Sequence, residues 1–340
     1  MTETHSQEGV SEKTRIRSSL LSSLLAYIRI ARPDNWFKNV FMLAGIILAF
    51  FFRYNFEGAH IVLRPRDFLI AVVSLCLIAS SNYVLNGIMD AASDRHHPVK
   101  KFRPIPSGQV SLETAAIEWI LLGALGLSLA LFLNRPYFFA SAGLLVMGLI
   151  YNIPPLRSKD YPYVDVLSES VNNPLRLFLG WFIVLPHVLP PISLVVAYWM
   201  VGAFFMASKR FAEYRSIASP DIASAYRHSF HHYTEHRLLL SMFFYASATA
   251  FLLGIFITHF RPELIVTVPL LAGFFSYYLS ITLKIDSTAQ NPEKIYKERG
   301  LMWYLAICVV AFVVLLFVRV PIIGRIFNLT APTTIQLWRL

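Results

Sequence analysis

The sequence predicts an all-α, polytopic membrane helix bundle of about nine transmembrane helices. Three observations predict it. Hydrophobic residues fill 56% of the 340 positions and charged residues only 15%, far from the balance of a soluble domain. Apolar stretches near the roughly 20 residues that cross a bilayer core recur along the chain. Most of the 30 Lys and Arg fall in alternate segments between those stretches, as the positive-inside rule requires.

Taken in order, residues 1–32 form a polar, then basic, cytoplasmic tail without the small-residue cleavage signature of a removable signal peptide. Within it Leu20, Leu21, Leu24, Leu25 and Ile28 repeat at helical spacing, flanked by Arg15, Arg17, Arg29 and Arg32. That pattern predicts a helix lying in the interface, although 1–12 reads equally well as a partly disordered tail. Residues 33–325 form the transmembrane domain, with spans at 36–52, 67–89, 113–134, 136–152, 164–186, 191–207, 238–259, 264–283 and 301–320. Asn134-Arg135-Pro136 separates the third from the fourth as a tight turn. Residues 326–340 form a short tail on the non-cytoplasmic side. Cys76 and Cys308 lie inside apolar spans and behave as small hydrophobes, so no disulfide framework or zinc site follows. The net charge of +10 does not indicate nucleic acid, because the basic residues punctuate apolar spans instead of forming one patch.

Three longer loops, Asp90 to Glu113, Tyr151 to Tyr163 and Ser208 to Arg237, carry most of the ionisable residues outside the tail. At the end of the second span Asn86, Asp90 and Asp94 recur four residues apart, stacking oxygen-bearing side chains along one helical face. Carboxylates beside a bilayer core are costly and mark function, and two carboxylates with a carboxamide suit Mg2+ that bridges to phosphate oxygens. The alternative is that the aspartates end the helix and pair with Arg95 or Lys101. The run Arg95, His96, His97, Lys100, Lys101 and Arg103 supplies the cations a phosphorylated ligand needs. Adjacent His96 and His97 point apart on regular backbone and make a poor transition-metal pair. In the fifth span Asp165, Glu169, Asn172, Asn173 and Arg176 run down one helical face. Such a stripe faces a water-filled cavity or forms an internal Glu169–Arg176 or Asp165–Glu169 network. Arg157 and Lys159 follow a Pro-Pro turn as a basic pair, either contacting ligand or snorkelling. The segment Tyr226, His228, His231, His232, Tyr233 and His236 reads as an interfacial belt.

Asn-Gly-Ile-Met-Asp-Ala-Ala-Ser-Asp at 86–94 resembles the first aspartate motif of the UbiA-type intramembrane prenyltransferase superfamily. Ala31 to Asn39 and Tyr151 to Lys159 resemble further motifs of that superfamily, and the likeness covers nearly the whole chain. Within it, Asp94 to Pro104 and Ser208-Lys209-Arg210-Phe211-Ala212-Glu213 resemble the decaprenyl-phosphate phosphoribosyltransferase branch most. The resemblance implies a helix bundle around a cavity open to the cytoplasm, in a bacterial inner membrane. It also implies Mg2+ on Asn86, Asp90 and Asp94, with Asp90 and Asp94 catalytic. Substrate would be held by Lys38, Asn86, Arg95, Lys100, Arg103, Tyr151, Arg157, Lys159, Asp165, Glu169, Asn173, Arg176, Lys209, Arg210 and Glu213. The implied partners are a polyprenyl lipid and phosphoribosyl diphosphate or a prenyl diphosphate.

Two positions depart from the superfamily pattern. Gly87 stands where an aspartate is usual, and Lys209, Arg210 and Glu213 replace a second aspartate motif. Cations at that place favour an additional anion such as a sugar 5-phosphate or a lipid phosphate, although Lys209 and Arg210 could simply be positive-inside residues. The expected reaction is transfer of a 5-phosphoribosyl group to a polyprenyl phosphate with release of diphosphate. The rival within the fold is prenyl transfer to an aromatic or other lipid-phase acceptor, with Phe204, Phe205, Phe243 and Phe244 stabilising an allylic cation. The rival outside it is a transporter or a noncatalytic lipid-binding protein. Cysteines introduced at Ser107 and Ser216 should be labelled from one and the same side of the membrane, the cytoplasmic one. Labelling from opposite sides would end this topology.

Overall fold

The computed structural model describes residues 24–57, 63–95, 99–217, 228–285, 287–328 and 337–340. The expected interfacial tail helix therefore lies largely outside the described residues, as do His96, His97 and Tyr226. A helical segment at 24–31 leads into a 3-10 helix, Pro33–Phe41. The bundle follows as α1 (Met42–Phe52), α2 (Pro65–Asp94), α3 (Leu112–Leu131), α4 (Arg135–Asn152), α5 (Val164–Ser170) and α6 (Asn172–Phe182). The second half is α7 (Ile192–Arg215), α8 (Glu235–Phe260), α9 (Val268–Thr282), α10 (Arg299–Phe317) and α11 (Pro321–Ile326). The only bridge between extended segments among the described residues joins Val188 to Arg339.

Seven described helical stretches are long and apolar enough to cross a membrane, which makes this an integral membrane protein. The expected count of nine is not reproduced by that criterion. The expected fourth span is α4, and Asn134 caps it by accepting from the Tyr137 amide at 2.8 Å, with Pro136 in its first turn, as the predicted break requires. The expected fifth span is not one helix but two, separated at Val171. Pro174 explains the break: it has no N–H for the Ser170 carbonyl, and its ring crowds that oxygen. The freed turn is held by side chains, with Asn172 Nδ2 donating to the Glu169 carbonyl at 3.0 Å and Trp199 Nε1 to Ser170 Oγ at 3.0 Å.

Polar contacts between helices fix the rotation of α2. Ser74 and Ser81 donate to the carbonyls of Gly126 and Trp119 on α3, at 2.8 and 2.9 Å. From the other side Tyr137 Oη donates to the Ala71 carbonyl and Asn82 Nδ2 to the Leu144 carbonyl, both at 2.8 Å. In hydrocarbon each such group needs a partner, so these four bonds leave α2 little freedom to turn.

Across the bundle α1 and α6 cross backbone to backbone. A Cβ at Gly45 would meet the Leu177 carbonyl, and one at Gly180 would meet the Met42 carbonyl. This is small-residue packing of membrane helices, and it brings the end of the 3-10 helix against α6. Gly45→Ala and Gly180→Ala should each lower the midpoint of thermal unfolding in nanodiscs, by overpacking worth about 1–3 kcal/mol. Gly254→Ala, where a Cβ meets open space, is the control. Melting of all three variants together would refute the crossing.

Candidate active site

The face of α2 that remains unpaired to α3 and α4 carries Tyr83, Asn86 and Asp90, spaced three and four residues apart. Opposite Asn86 and Asp90, the chain leaving α4 turns so that Lys159 inserts its ammonium between them. Lys159 Nζ lies 2.5 Å from Asp90 Oδ1, 3.0 Å from Asn152 Oδ1 and 3.5 Å from Asn86 Oδ1. Arg157 reaches Asp90 Oδ1 at 3.5 Å and is steadied by Asp160 at 2.9 Å. The basic pair is therefore not an exposed snorkelling pair: Lys159 is only 7% exposed. One turn further, Asp94 Oδ2 accepts from Arg103 at 2.8 Å, with Lys100 3.8 Å from its other oxygen. Burial lowers the Lys100 ammonium below the ordinary lysine range, against the opposing pull of Asp94.

The donor set fits a hard cation. Asp90 Oδ2 makes no hydrogen bond among the described residues, and its side chain is partly open. Among the described residues no three His, Cys, Asp or Glu cluster as a self-sufficient metal cage. A Mg2+ ion held at Asp90 would need its remaining ligands from water and from phosphate oxygens, as that ion usually does.

A second cluster closes the floor beside it. Arg210, near the end of α7, is 1% exposed and binds three carboxylates: Asp165 at 3.0 Å, Glu169 at 2.7 Å and Glu213 at 3.1 Å. Tyr151 Oη donates to Glu169 at 2.9 Å, and Tyr233 Oη donates to Asp165 at 2.6 Å. Arg210 consequently has no free guanidinium edge for a ligand phosphate, which corrects its expected role as a direct contact. It is a positioning residue that ties α5, α7 and the segment before α8 together. Its neighbour Lys209, 3.8 Å from Glu213, is more open. The expected Glu169–Arg176 and Asp165–Glu169 networks give way to this one, in which both acids share Arg210. Tyr233, read from sequence as part of an interfacial belt, is buried inside it.

A third group lies deeper. Arg32 and Lys38 stand over the Tyr83 ring at 5.5 and 6.0 Å. Arg176 Nε donates to Asn39 Oδ1 at 3.2 Å and Nη1 to the Asn172 carbonyl at 3.3 Å. Of the remaining expected residues, Arg95 is exposed at the end of α2 and Asn173 packs on Gly202. Asn152, Asp160, Tyr83 and Tyr233 were missed. Asn152 and Asp160 adjoin residues singled out on the Tyr151–Lys159 segment, whereas Tyr233 was marked only as part of an aromatic and histidine-rich belt. Phe204 is 2% exposed in an aromatic cluster, and Phe243 is 74% exposed on the face of α8 opposite its buried residues. These rings do not join the aspartates in one wall.

A decaprenyl-phosphate phosphoribosyltransferase from Corynebacterium glutamicum is 32% identical over 55% of this chain and 54% of its own length. One from Mycolicibacterium smegmatis is 29% identical over 63% of this chain and 64% of its own. The chain thus spans between about half and two-thirds of these relatives. A solved UbiA homolog from Archaeoglobus fulgidus, bound to GPP and Mg2+, superposes with a TM-score of 0.64 at 22% identity, covering 86% of this chain and all of that one. That likeness carries the fold alone. The family model of the UbiA prenyltransferases matches residues 42–297, most of the chain, and the protein belongs to the UbiA prenyltransferase family.

Proposed function

We propose that this chain transfers a 5-phosphoribosyl group from phosphoribosyl diphosphate to a polyprenyl phosphate, releasing diphosphate, in a Mg2+-dependent reaction on the cytoplasmic side of a bacterial inner membrane. The observation that carries the reading is the excess of cations around two aspartates: Arg157 and Lys159 on Asp90, Lys100 and Arg103 on Asp94. A donor and an acceptor that both bear phosphate need that excess, whereas a prenyl diphosphate brings one anionic group. The relatives named decaprenyl-phosphate phosphoribosyltransferase support the same reading.

On this reading Asp90, with Asn86 and Asp94 beside it, would hold Mg2+, which would supply charge to stabilise the departing diphosphate. Lys159, Arg157, Lys100 and Arg103 exchange part of their contact with the aspartates for contact with phosphate oxygens. The C1–O bond to diphosphate breaks with its electron pair leaving on diphosphate. An anionic oxygen of the lipid phosphate forms the new bond at C1, so no protein nucleophile and no proton transfer is required. The chain's contribution is orientation and fixed positive charge aimed at the leaving group.

Asp90→Asn should abolish turnover at limiting Mg2+ while the protein remains monodisperse, because the carboxamide keeps the shape and loses the charge. Wild-type turnover would return Asp90 to a helix-ending role. A second pair of variants separates Lys209 from Arg210. Arg210→Ala leaves three carboxylates facing one another, so it should cost about 3–5 kcal/mol of stability and remove activity with any donor. Lys209→Ala should keep the melting temperature and raise the KM for phosphoribosyl diphosphate about tenfold, leaving any residual prenyl diphosphate turnover unchanged. Turnover with a prenyl diphosphate alone would overturn the phosphoribosyl assignment.

A further inference from the structure

The cations around Tyr83 differ from the other clusters of the site in making no ion pair among the described residues, and Glu169, the acid that acts on Lys38, is already held by Arg210. Arg176 is 8% exposed, yet its hydrogen bonds go to two neutral acceptors, the Asn39 carboxamide and the Asn172 carbonyl. No carboxylate lies within ion-pair distance of Arg176, Lys38 or Arg32 among the described residues. Elsewhere the basic side chains of the site are matched: Arg210 by three acids, Lys159 and Arg157 by Asp90, Arg103 by Asp94. A buried guanidinium without a counter-ion is expensive, and a membrane protein keeps one where a ligand supplies the charge. Asn172 Oδ1 beside it is buried and without a hydrogen-bond donor among the described residues, an acceptor for a hydroxyl or a protonated phosphate oxygen.

The place of this cluster separates it from the aspartates. Tyr83 precedes Asp90 by two helical turns on the same face of α2, about 10 Å along the axis and deeper in the bilayer. One diphosphate held at Asp90 and Asp94 does not also neutralise Arg176. Resting on the reading above, we propose that Arg176 and Lys38, with Arg32 across the Tyr83 ring, form a second anion subsite that takes a phosphate monoester, distinct from the diphosphate subsite. Two reactants carry such a group: the lipid acceptor at its head and the sugar donor at its 5-position. The three cations give it charge, Asn39 fixes the guanidinium plane, and the Gly45–Gly180 crossing holds α6 close enough for Arg176 to reach the 3-10 helix.

The test is binding by the full chain in nanodiscs, in buffer with a metal chelator, so that the aspartate end contributes little. The probes are a short-chain polyprenyl phosphate, the polyprenol of the same length, and phosphoribosyl diphosphate. Wild-type protein should bind one of the two monoesters through this subsite, and Arg176→Gln and Lys38→Gln should each weaken it by about ten- to a hundredfold. Arg176→Lys should recover part of the loss. Loss confined to the polyprenyl phosphate, with polyprenol binding unchanged, identifies the acceptor as the occupant. Loss confined to phosphoribosyl diphosphate identifies the donor 5-phosphate. Both support the subsite. Unchanged affinity of both variants for both monoesters overturns it, and Lys38→Gln, at a half-buried position, keeps the test decisive if Arg176→Gln does not fold. A wild-type protein that shows the phosphate preference but no turnover with phosphoribosyl diphosphate would refute the proposed reaction and leave the subsite standing.

Discussion

The arrangement depends first on a guanidinium that cannot leave. Arg210 sits at the inner end of α7 with 1% exposure, and in a low-dielectric setting its charge must be met by hydrogen-bonded acids. Asp165, Glu169 and Glu213 meet it, and they come from two separate helices. Two of these acids are oriented by a further partner, Tyr233 for Asp165 and Tyr151 for Glu169. Tyr151 stands near the end of α4 and Lys159 in the loop that follows. The cluster thereby holds Tyr151, whose ring lies 6.0 Å from the Lys159 ammonium that touches Asp90.

The opposite wall is set first by close backbone packing. Gly45 and Gly180 let α1 and α6 approach until backbone meets backbone, which places Arg176 against Asn39. The polar anchoring of α2 by Ser74, Ser81, Asn82 and Tyr137 then decides which face of that helix looks inward. Three polar groups follow one another along the path into the membrane: Asp94 with Lys100 and Arg103, Asp90 with Lys159 and Arg157, and Tyr83 with Lys38 and Arg32. The first two contain paired charge, whereas the cations of the last make no ion pair among the described residues.

Much of this was legible in the residues. Apolar runs of the right length, the Asn134-Arg135-Pro136 break and the i, i+4 spacing of Asn86, Asp90 and Asp94 are local signals, and local backbone geometry acts on them directly. The split of the fifth span was legible too, since Pro174 lies within it, but hydrophobicity over the window outweighed one proline in the reading. The reading of Asp165, Glu169, Asn172 and Arg176 as one stripe rested on an unbroken helix, whereas the chain breaks at Val171 and the acids are met by Arg210 while Arg176 meets Asn39. Tyr233 was marked only as part of an aromatic and histidine-rich belt, because its partner Asp165 lies 68 positions away.

By itself the sequence determined the membrane class, the approximate spans and the stripe of oxygen donors at the end of α2, because hydrophobic length and helical period are properties of neighbouring residues. Only the tertiary structure decided which charges are spent on one another and which make no ion pair among the described residues. Arg176 lies within an apolar span and Arg210 beside Lys209 just past the end of another, and neither position tells whether the charge is paired. Arg210 meets Asp165 across 45 positions and is neutralised, while Arg176 meets Asn39 across 137 and is not. That difference arises from which helices the bundle brings together, and no spacing along the chain encodes it.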